Sequence, residues 1–176
     1  MTQSEEPASQ ERTRQLPAIV TIGVYGFDET TFFQALKDAG VDTFCDIRRR
    51  RGVRGSRYAF ANSKRLQIRL AELGIQYRHL LELAPTAEIR ERQKTADKTA
   101  ATAKRKRSSL DPSFIEVYDR EILSGFDAWS FLEEFGEHSS VIALFCVERE
   151  PSACHRSLVA GKLAEELGLE VNHLVP

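Results

Sequence analysis

Val141-Ile142-Ala143-Leu144-Phe145-Cys146-Val147-Glu148-Arg149-Glu150-Pro151-Ser152-Ala153-Cys154-His155-Arg156-Ser157 reads as a strand, a short polar loop and the first turn of a helix. Its opening run is apolar and β-branched with no polar alternation, the pattern of a strand buried on both faces. In open α/β sheets the loop leaving the carboxyl end of such a strand is where ligands bind. The helix that follows adds free N–H groups and roughly half an elementary positive charge at its N-terminus. The loop holds the Cys146 thiol at one end and Cys154, His155 and Arg156 at the other, so the candidate site sits between them.

Working back from this stretch, the same unit repeats. Ile19–Tyr25 reads as a first strand; Asp28 caps a helix carrying Phe32, Ala35, Leu36 and Ala39, and Gly40 stops it. Val41–Ile47 is a second strand. Ser63 is the expected cap of a helix with Leu66, Leu70 and Leu73 on one face, followed by Gly74 and a third strand, Ile75–Leu80. Two helices precede Val141, one with Phe114, Val117, Tyr118 and Ile122 as its buried stripe and one with Trp129, Leu132 and Phe135. Working forward, Val159, Leu163 and Leu167 line a helix ended by Gly168, and Val171–Val175 is a last strand. The alternation predicts an α/β fold with about five strands in a mostly parallel sheet, helices on both faces, in a Rossmann-like three-layer arrangement.

Two segments fall outside this rhythm. Residues 1–16 are polar and read as a disordered tail, leaving 17–176 as a single α/β domain. Within it, about 84–111 forms a basic insertion. Between Glu88 and Arg107 stand eight basic and three acidic residues with no apolar face, which predicts a solvated helix or a mobile arm.

At 176 residues, 41% apolar and 29% charged, the chain suits one globular domain with a full core. No apolar run approaches the roughly 20 residues of a membrane span, and no secretory signal stands at the N-terminus. Three cysteines, an odd number, argue against a secreted disulfide framework and point to the cytoplasm. Nothing in the sequence sets an oligomeric state.

The net charge of −1 hides a dense basic loop: six of the ten residues Arg48–Arg57 are arginine. Guanidinium groups bind phosphate bidentately, and Tyr58 and Phe60 just beyond them are candidates for stacking on a base. Arg48, Arg50, Arg51, Arg54, Arg57 and Tyr58 are therefore the candidate phosphate-binding set, and the partner class is nucleic acid or a nucleotide phosphate. The Lys104–Arg107 run adds to the same charge.

The thiol loop carries the chemical candidates. A thiolate at a helix N-terminus beside Arg156 becomes nucleophilic at neutral pH, with Glu148 or His155 moving protons. Cys146, Glu148, Cys154, His155 and Arg156 form this candidate set, with Asp46, Tyr25, His79 and Glu82 as supports on the same predicted edge. Cys146 at a strand end also fits simple core packing, and Asp46 also fits an ion-paired brace. The two thiols offer a reversible disulfide or, with His155 and Glu148, zinc ligands. The spacing C-x-E-x5-C-H lacks the close cysteine pairs of structural zinc sites, so no cofactor or metal is predicted. Cys45, inside a strand, reads as core, and His138 and His173 read as having no chemical role.

Taken together, Thr21-Ile22-Gly23, Asp46-Ile47-Arg48, Phe60-Ala61-Asn62, Tyr77-Arg78-His79-Leu80 with Glu82-Leu83, and above all Cys146-Val147-Glu148 with Cys154-His155-Arg156 resemble the bacterial and archaeal domain-of-unknown-function 488 family. Val24 stands where many members place a histidine. The resemblance covers about residues 18–176 and implies a compact α/β fold with a site around these motifs, but no activity. The order of a D-x-R strand, a cysteine at a strand end and an arginine-bearing helix start is also loosely similar to rhodanese-type sulfurtransferases.

Three functions are compatible with these readings. One is a thiol-dependent hydrolase or transferase acting on nucleic acid or nucleotide. The second is a non-catalytic nucleic-acid-binding or redox-sensing module. The third is a sulfurtransferase or a zinc-binding protein.

Overall fold

A computed structural model describes residues 16–103, 106–135 and 139–176. Five strands, β1 (Ala18–Gly23), β2 (Thr43–Asp46), β3 (Gln76–His79), β4 (Val141–Cys146) and β5 (Val171–Leu174), form one sheet in the order β3-β2-β4-β1-β5. Every pairing is parallel. The expected α/β sheet with helices on both faces is therefore present, and it is parallel throughout.

The strands explain the layers. Along β4, Ile142 and Leu144 face one core while Ala143 and Phe145 face the other, and all four are fully buried. The second of these cores is aromatic. Phe32 and Phe33 from α1 (Glu29–Asp38) meet Phe44, Phe60 and Phe145, joined by Leu66 and Leu70 of α2 (Ser63–Glu72). The opposite core takes Phe114, Val117 and Tyr118 of α4 (Pro112–Glu121), Phe131, Leu132 and Phe135 of α5 (Ala128–Phe135), and Val159, Ala160 and Leu163 of α6 (His155–Leu167).

Local signals set most helix ends. Asp28 accepts from the Thr31 N–H and Thr31 returns the bond to the Asp28 N–H, a complete capping box. Gly168 ends α6 in the left-handed region, at φ 67°. The α2 start differs from expectation: Asn62, not Ser63, is the N-cap residue, and its side chain instead accepts from the Val53 N–H, 2.6 Å away. Asn62 thereby pins the arginine loop to the helix.

Two other expectations change. Trp129 lies on the outer face of α5, 49% exposed, because Ala128, Phe131, Leu132 and Phe135 already fill the inner face. The insertion is neither a bare solvated helix nor an arm without order. It forms α3 (Ala87–Thr99), whose Ile89 and Gln93 are buried. Gln93 accepts from the Asp111 N–H, while Arg107 makes a two-armed pair with Asp97. Ile89 anchors the helix in the core with Leu110, and polar bonds complete the docking, so a search for a full apolar stripe misses it. Lys104, Arg105, His138 and the tail before Leu16 lie outside the described residues; Leu16 itself packs on the core.

β4 lies between β2 and β1, and both of those neighbours lead into helices on the α1/α2 face. β4 alone of the three leads to the opposite face, through α6. Such a reversal opens a crevice at the carboxyl edge, beside Cys146.

Candidate functional site

The crevice is lined by the ends of β1, β2 and β4, where Gly23 pairs with Cys146 and Asp46 with Phe145. The thiol loop folds back into it. The Tyr25 N–H donates to the Val147 carbonyl, and a Cβ on Gly23 would lie 1.8 Å from the Glu148 carbonyl oxygen. Gly23 is thus needed for the protein's own loop to close, not for a ligand to approach.

Arg156 holds this loop from beneath. Its side chain is fully buried, with Nη1 donating to the Glu148 carbonyl at 2.6 Å, Nη2 to the Arg149 carbonyl at 2.9 Å and Nε to Thr21 Oγ1 at 3.3 Å. All three guanidinium nitrogens are committed to the protein, so Arg156 is a clamp and a local source of positive charge.

Around it gather Cys146, Cys154 and His155, each offering one donor atom within 4.8 Å of the others. His155 Nδ1 is 3.8 Å from Cys146 Sγ and 4.0 Å from Cys154 Sγ. Its Nε2 is 3.0 Å from the Ile47 carbonyl oxygen, which only accepts, so Nε2 carries the proton. In the neutral ring Nδ1 therefore carries the lone pair, on the side of the two sulfurs. None of the three cysteines is in a disulfide, and Cys146 and Cys154 are 6% and 1% exposed.

The two thiols are electrostatically unlike. Burial raises the cost of a thiolate at Cys154, but a hydrogen bond from Cys146 and, when the ring is protonated at both nitrogens, a hydrogen bond and the charge from His155, with the charge of Arg156, hold it well below the ordinary thiol value. Cys146, hydrogen-bonded to Cys154 and buried beside it, is held well above. Cys45 stands apart in the core, its thiol pushed up by burial.

Glu148 is buried at the loop, with its carboxylate 3.9 Å from the Arg107 guanidinium of the insertion. The returning insertion and the thiol loop frame a cleft of about 520 Å³ lined by Lys106, Arg107, Ser108, Arg149, Glu150 and Ser152.

The family model described as "Domain of unknown function DUF488" matches residues 29–163. The chain belongs to the DUF488 family. No curated protein and no solved structure matches it. The residues that carry the resemblance fall on or beside the carboxyl edge of the sheet: Gly23, which precedes the matched stretch, Asp46 and Arg48, Phe60–Asn62, Tyr77 and His79, and the thiol loop.

The arginines of this DUF488 chain separate into two groups. Arg48 is 3% exposed. It pairs with Asp46 through two hydrogen bonds of 2.8 and 2.7 Å, donates to the Ala61 carbonyl and lies over the Phe145 ring at 4.4 Å. Asp46 also accepts from Tyr77 Oη and the Arg48 N–H, so both members of the pair are fully used as a brace. His79 Nε2 donates to the Arg48 carbonyl. Arg48 therefore leaves the phosphate-binding set: its guanidinium is sealed inside.

Tyr58 and Phe60 leave the base-stacking role for the same reason. Both are buried, Phe60 in the aromatic core and Tyr58 against Tyr25, at 5.2 Å between centroids. Arg50, Arg54 and Arg57 are exposed, and Arg51 is half-buried and hydrogen-bonded to Tyr77. Glu82 is exposed on a short turn after β3.

Two residues missed by the sequence reading join them. Arg49 donates to the Pro85 and Ala84 carbonyls, and Arg90 donates to the Thr86 carbonyl. Three consecutive carbonyls thus draw Arg49 and Arg90 together at the start of α3, with Arg50 alongside. Partial burial, then the charges of Arg50 and Arg49, hold the Arg90 guanidinium below its ordinary value. Among the described residues no carboxylate forms an ion pair with any of the three. The i, i+4 pattern of α3 gave no hint of this, since Arg90 faces a loop 41 positions earlier.

Proposed function

We propose that the protein binds a phosphate-bearing ligand, a nucleic acid or a nucleotide, through Arg49, Arg50 and Arg90 at the foot of the arginine loop. The observation that carries this reading is the gathering of three guanidinium groups, none of them ion-paired to a carboxylate among the described residues. An anion placed among them removes their mutual repulsion and gains bidentate, charge-assisted hydrogen bonds. The positive end of α3 lies at the same place, since Thr86 is its N-cap. Arg54 and Arg57 extend the basic surface along the loop.

The setting fits a reducing compartment, the cytoplasm, because all three thiols are unpaired. Among the described residues no helix is long and apolar enough to cross a membrane. An enzymatic role would reside in Cys146, Cys154 and His155. The sulfur-transfer alternative needs a thiol open to its donor, whereas Cys154 is 1% exposed.

Binding of a fluorescent single-stranded oligonucleotide, followed against salt, tests the reading. The wild type should bind with a steep negative salt slope, and Arg49→Ala/Arg50→Ala/Arg90→Ala should lower that slope by about 2, as expected for about three lost phosphate contacts. Competition by a mononucleotide distinguishes the two ligand forms. Equal affinity and slope in the triple variant would reject the site.

A further inference from the structure

We propose that Cys146, Cys154 and His155 form a zinc site of Cys2His type at the carboxyl end of β4. The donor set, its spacing and its orientation each support this. With metal–sulfur bonds of about 2.3 Å and a metal–nitrogen bond of about 2.0–2.1 Å, a tetrahedral ion places sulfur and nitrogen about 3.6 Å apart. The observed separations from His155 Nδ1 are 3.8 and 4.0 Å, so movements of a few tenths of an ångström suffice.

His155 is oriented as a ligand. Metal-binding imidazoles hold their second nitrogen on a carbonyl or carboxylate, which fixes the ring and directs the other lone pair at the metal. Ile47 supplies that carbonyl, and both sulfurs lie on the Nδ1 side of the ring. The ligands come from two rigid elements, the end of β4 and the first turn of α6, and the loop between them is clamped by Arg156.

Charge and chemistry agree. Two thiolates, one neutral imidazole and Zn²⁺ sum to zero, which suits a buried position, and binding releases to solvent whatever protons the two thiols and the imidazole Nδ1 still hold. Thiolate and imidazole donors select zinc over magnesium or calcium, which take oxygen ligands. Glu148 lies outside the three-ligand set, held near Arg107, so the fourth position of a tetrahedral ion falls to a water or a small ligand. A Cys2His set with one exchangeable position is a catalytic type of zinc coordination. The unusual spacing, eight positions between the cysteines, follows from the fold: a strand end and a helix start meet across a loop, where structural sites use a tight turn.

The site is independent of the phosphate reading, because none of its ligands belongs to the Arg49–Arg50–Arg90 group. Protein purified without chelator should carry about one equivalent of zinc by elemental analysis. Reduced metal-free protein titrated with Co²⁺ should develop a thiolate-to-cobalt charge-transfer band and tetrahedral d–d bands at one equivalent. Cys154→Ser and His155→Gln should each weaken Co²⁺ binding by about tenfold or more. Cys45→Ala, which alters a thiol outside the cluster, should leave the spectrum unchanged.

Where a ligand variant fails to fold, X-ray absorption at the zinc edge of the wild type decides, and a shell of two sulfurs with two lighter donors is expected. The proposal is overturned by less than about a tenth of an equivalent of zinc together with no cobalt charge-transfer band. It is equally overturned by a sulfur-free zinc shell, by full metal retention in folded Cys154→Ser, or by loss of the spectrum in Cys45→Ala.

Discussion

His155 Nε2 donates a 3.0 Å hydrogen bond to the carbonyl of Ile47, a residue 108 positions earlier. Ile47 directly follows β2 and immediately precedes Arg48, so one bond joins the thiol turn to the root of the arginine loop. The ring also lies 5.6 Å from that of Tyr118. His155→Ala should therefore remove a buried hydrogen bond, leave the Ile47 carbonyl unpartnered and open a cavity beside Tyr118. A loss of at least about 2 kcal/mol is expected from the shift in urea midpoint at unchanged slope. A loss below about 0.5 kcal/mol would mean that the contact carries no structural weight.

Arg48 and the arginines that follow it should behave oppositely. Asp46 and Arg48 are a buried pair, 0% and 3% exposed. Removing one partner leaves an uncompensated charge, so Asp46→Ala should cost about 3–5 kcal/mol. Arg50→Ala/Arg54→Ala/Arg57→Ala changes three exposed groups and should cost under about 1 kcal/mol in total. Parallel thermal melts of the two variants check this. Equal melting temperatures would place Arg48 back among the solvated arginines.

The same division explains what could be read from the sequence. Strand and helix order was legible because Val141–Phe145 has no polar residue and because Phe32, Leu66 and Leu163 recur at helical spacing. The parallel edge that collects Asp46, Cys146 and His155 follows from that order alone. Which arginines are sealed and which are open was not legible, because Arg48 and Arg50 differ only in their long-range partners. Asp46, Ala61 and Phe145 claim the first; among the described residues no such buried pairing claims the second. Tyr58 and Phe60 were misread for a related reason: a basic loop followed by aromatics looks alike whether the rings face solvent or anchor the loop to the core. Cys146, Cys154, His155 and Glu148 were legible as one donor group, but only the fold shows that the first three gather within 4.8 Å while Glu148 lies towards Arg107.

Gly23 should be irreplaceable. A Cβ there would meet the Glu148 carbonyl oxygen at 1.8 Å and Arg156 Nη1 at 2.9 Å, and both are fixed by the Arg156 hydrogen bonds. Gly23→Ala must push the thiol loop outward, separating Cys146 from Cys154 and breaking the clamp. Overpacking of this kind typically costs about 1–3 kcal/mol, and here a buried charged hydrogen bond adds to it. Faster alkylation of Cys154 in Gly23→Ala than in the wild type would report the opened loop. An unchanged alkylation rate would show that the loop does not rest on Gly23.

His173 gives stability a dependence on acid. Its Nδ1 is 2.8 Å from Thr21 Oγ1, and that hydroxyl already accepts from Arg156 Nε. The hydroxyl proton is then free to be donated to His173, which requires an unprotonated Nδ1. Partial burial, then the Arg156 charge, hold the His173 pKa below its ordinary value. The folded state therefore binds fewer protons at this site than the unfolded chain does. Its stabilising contribution is complete above the unfolded value, about pH 6.5, and is lost as pH falls through the lower folded one. The wild type should lose melting temperature more steeply than His173→Asn between about pH 6.5 and about pH 5, with parallel behaviour above. Because the difference between the two proteins cancels the other histidines and the carboxylates, a variant that is equally or more acid-sensitive would show that His173 is not held neutral by Thr21 and Arg156.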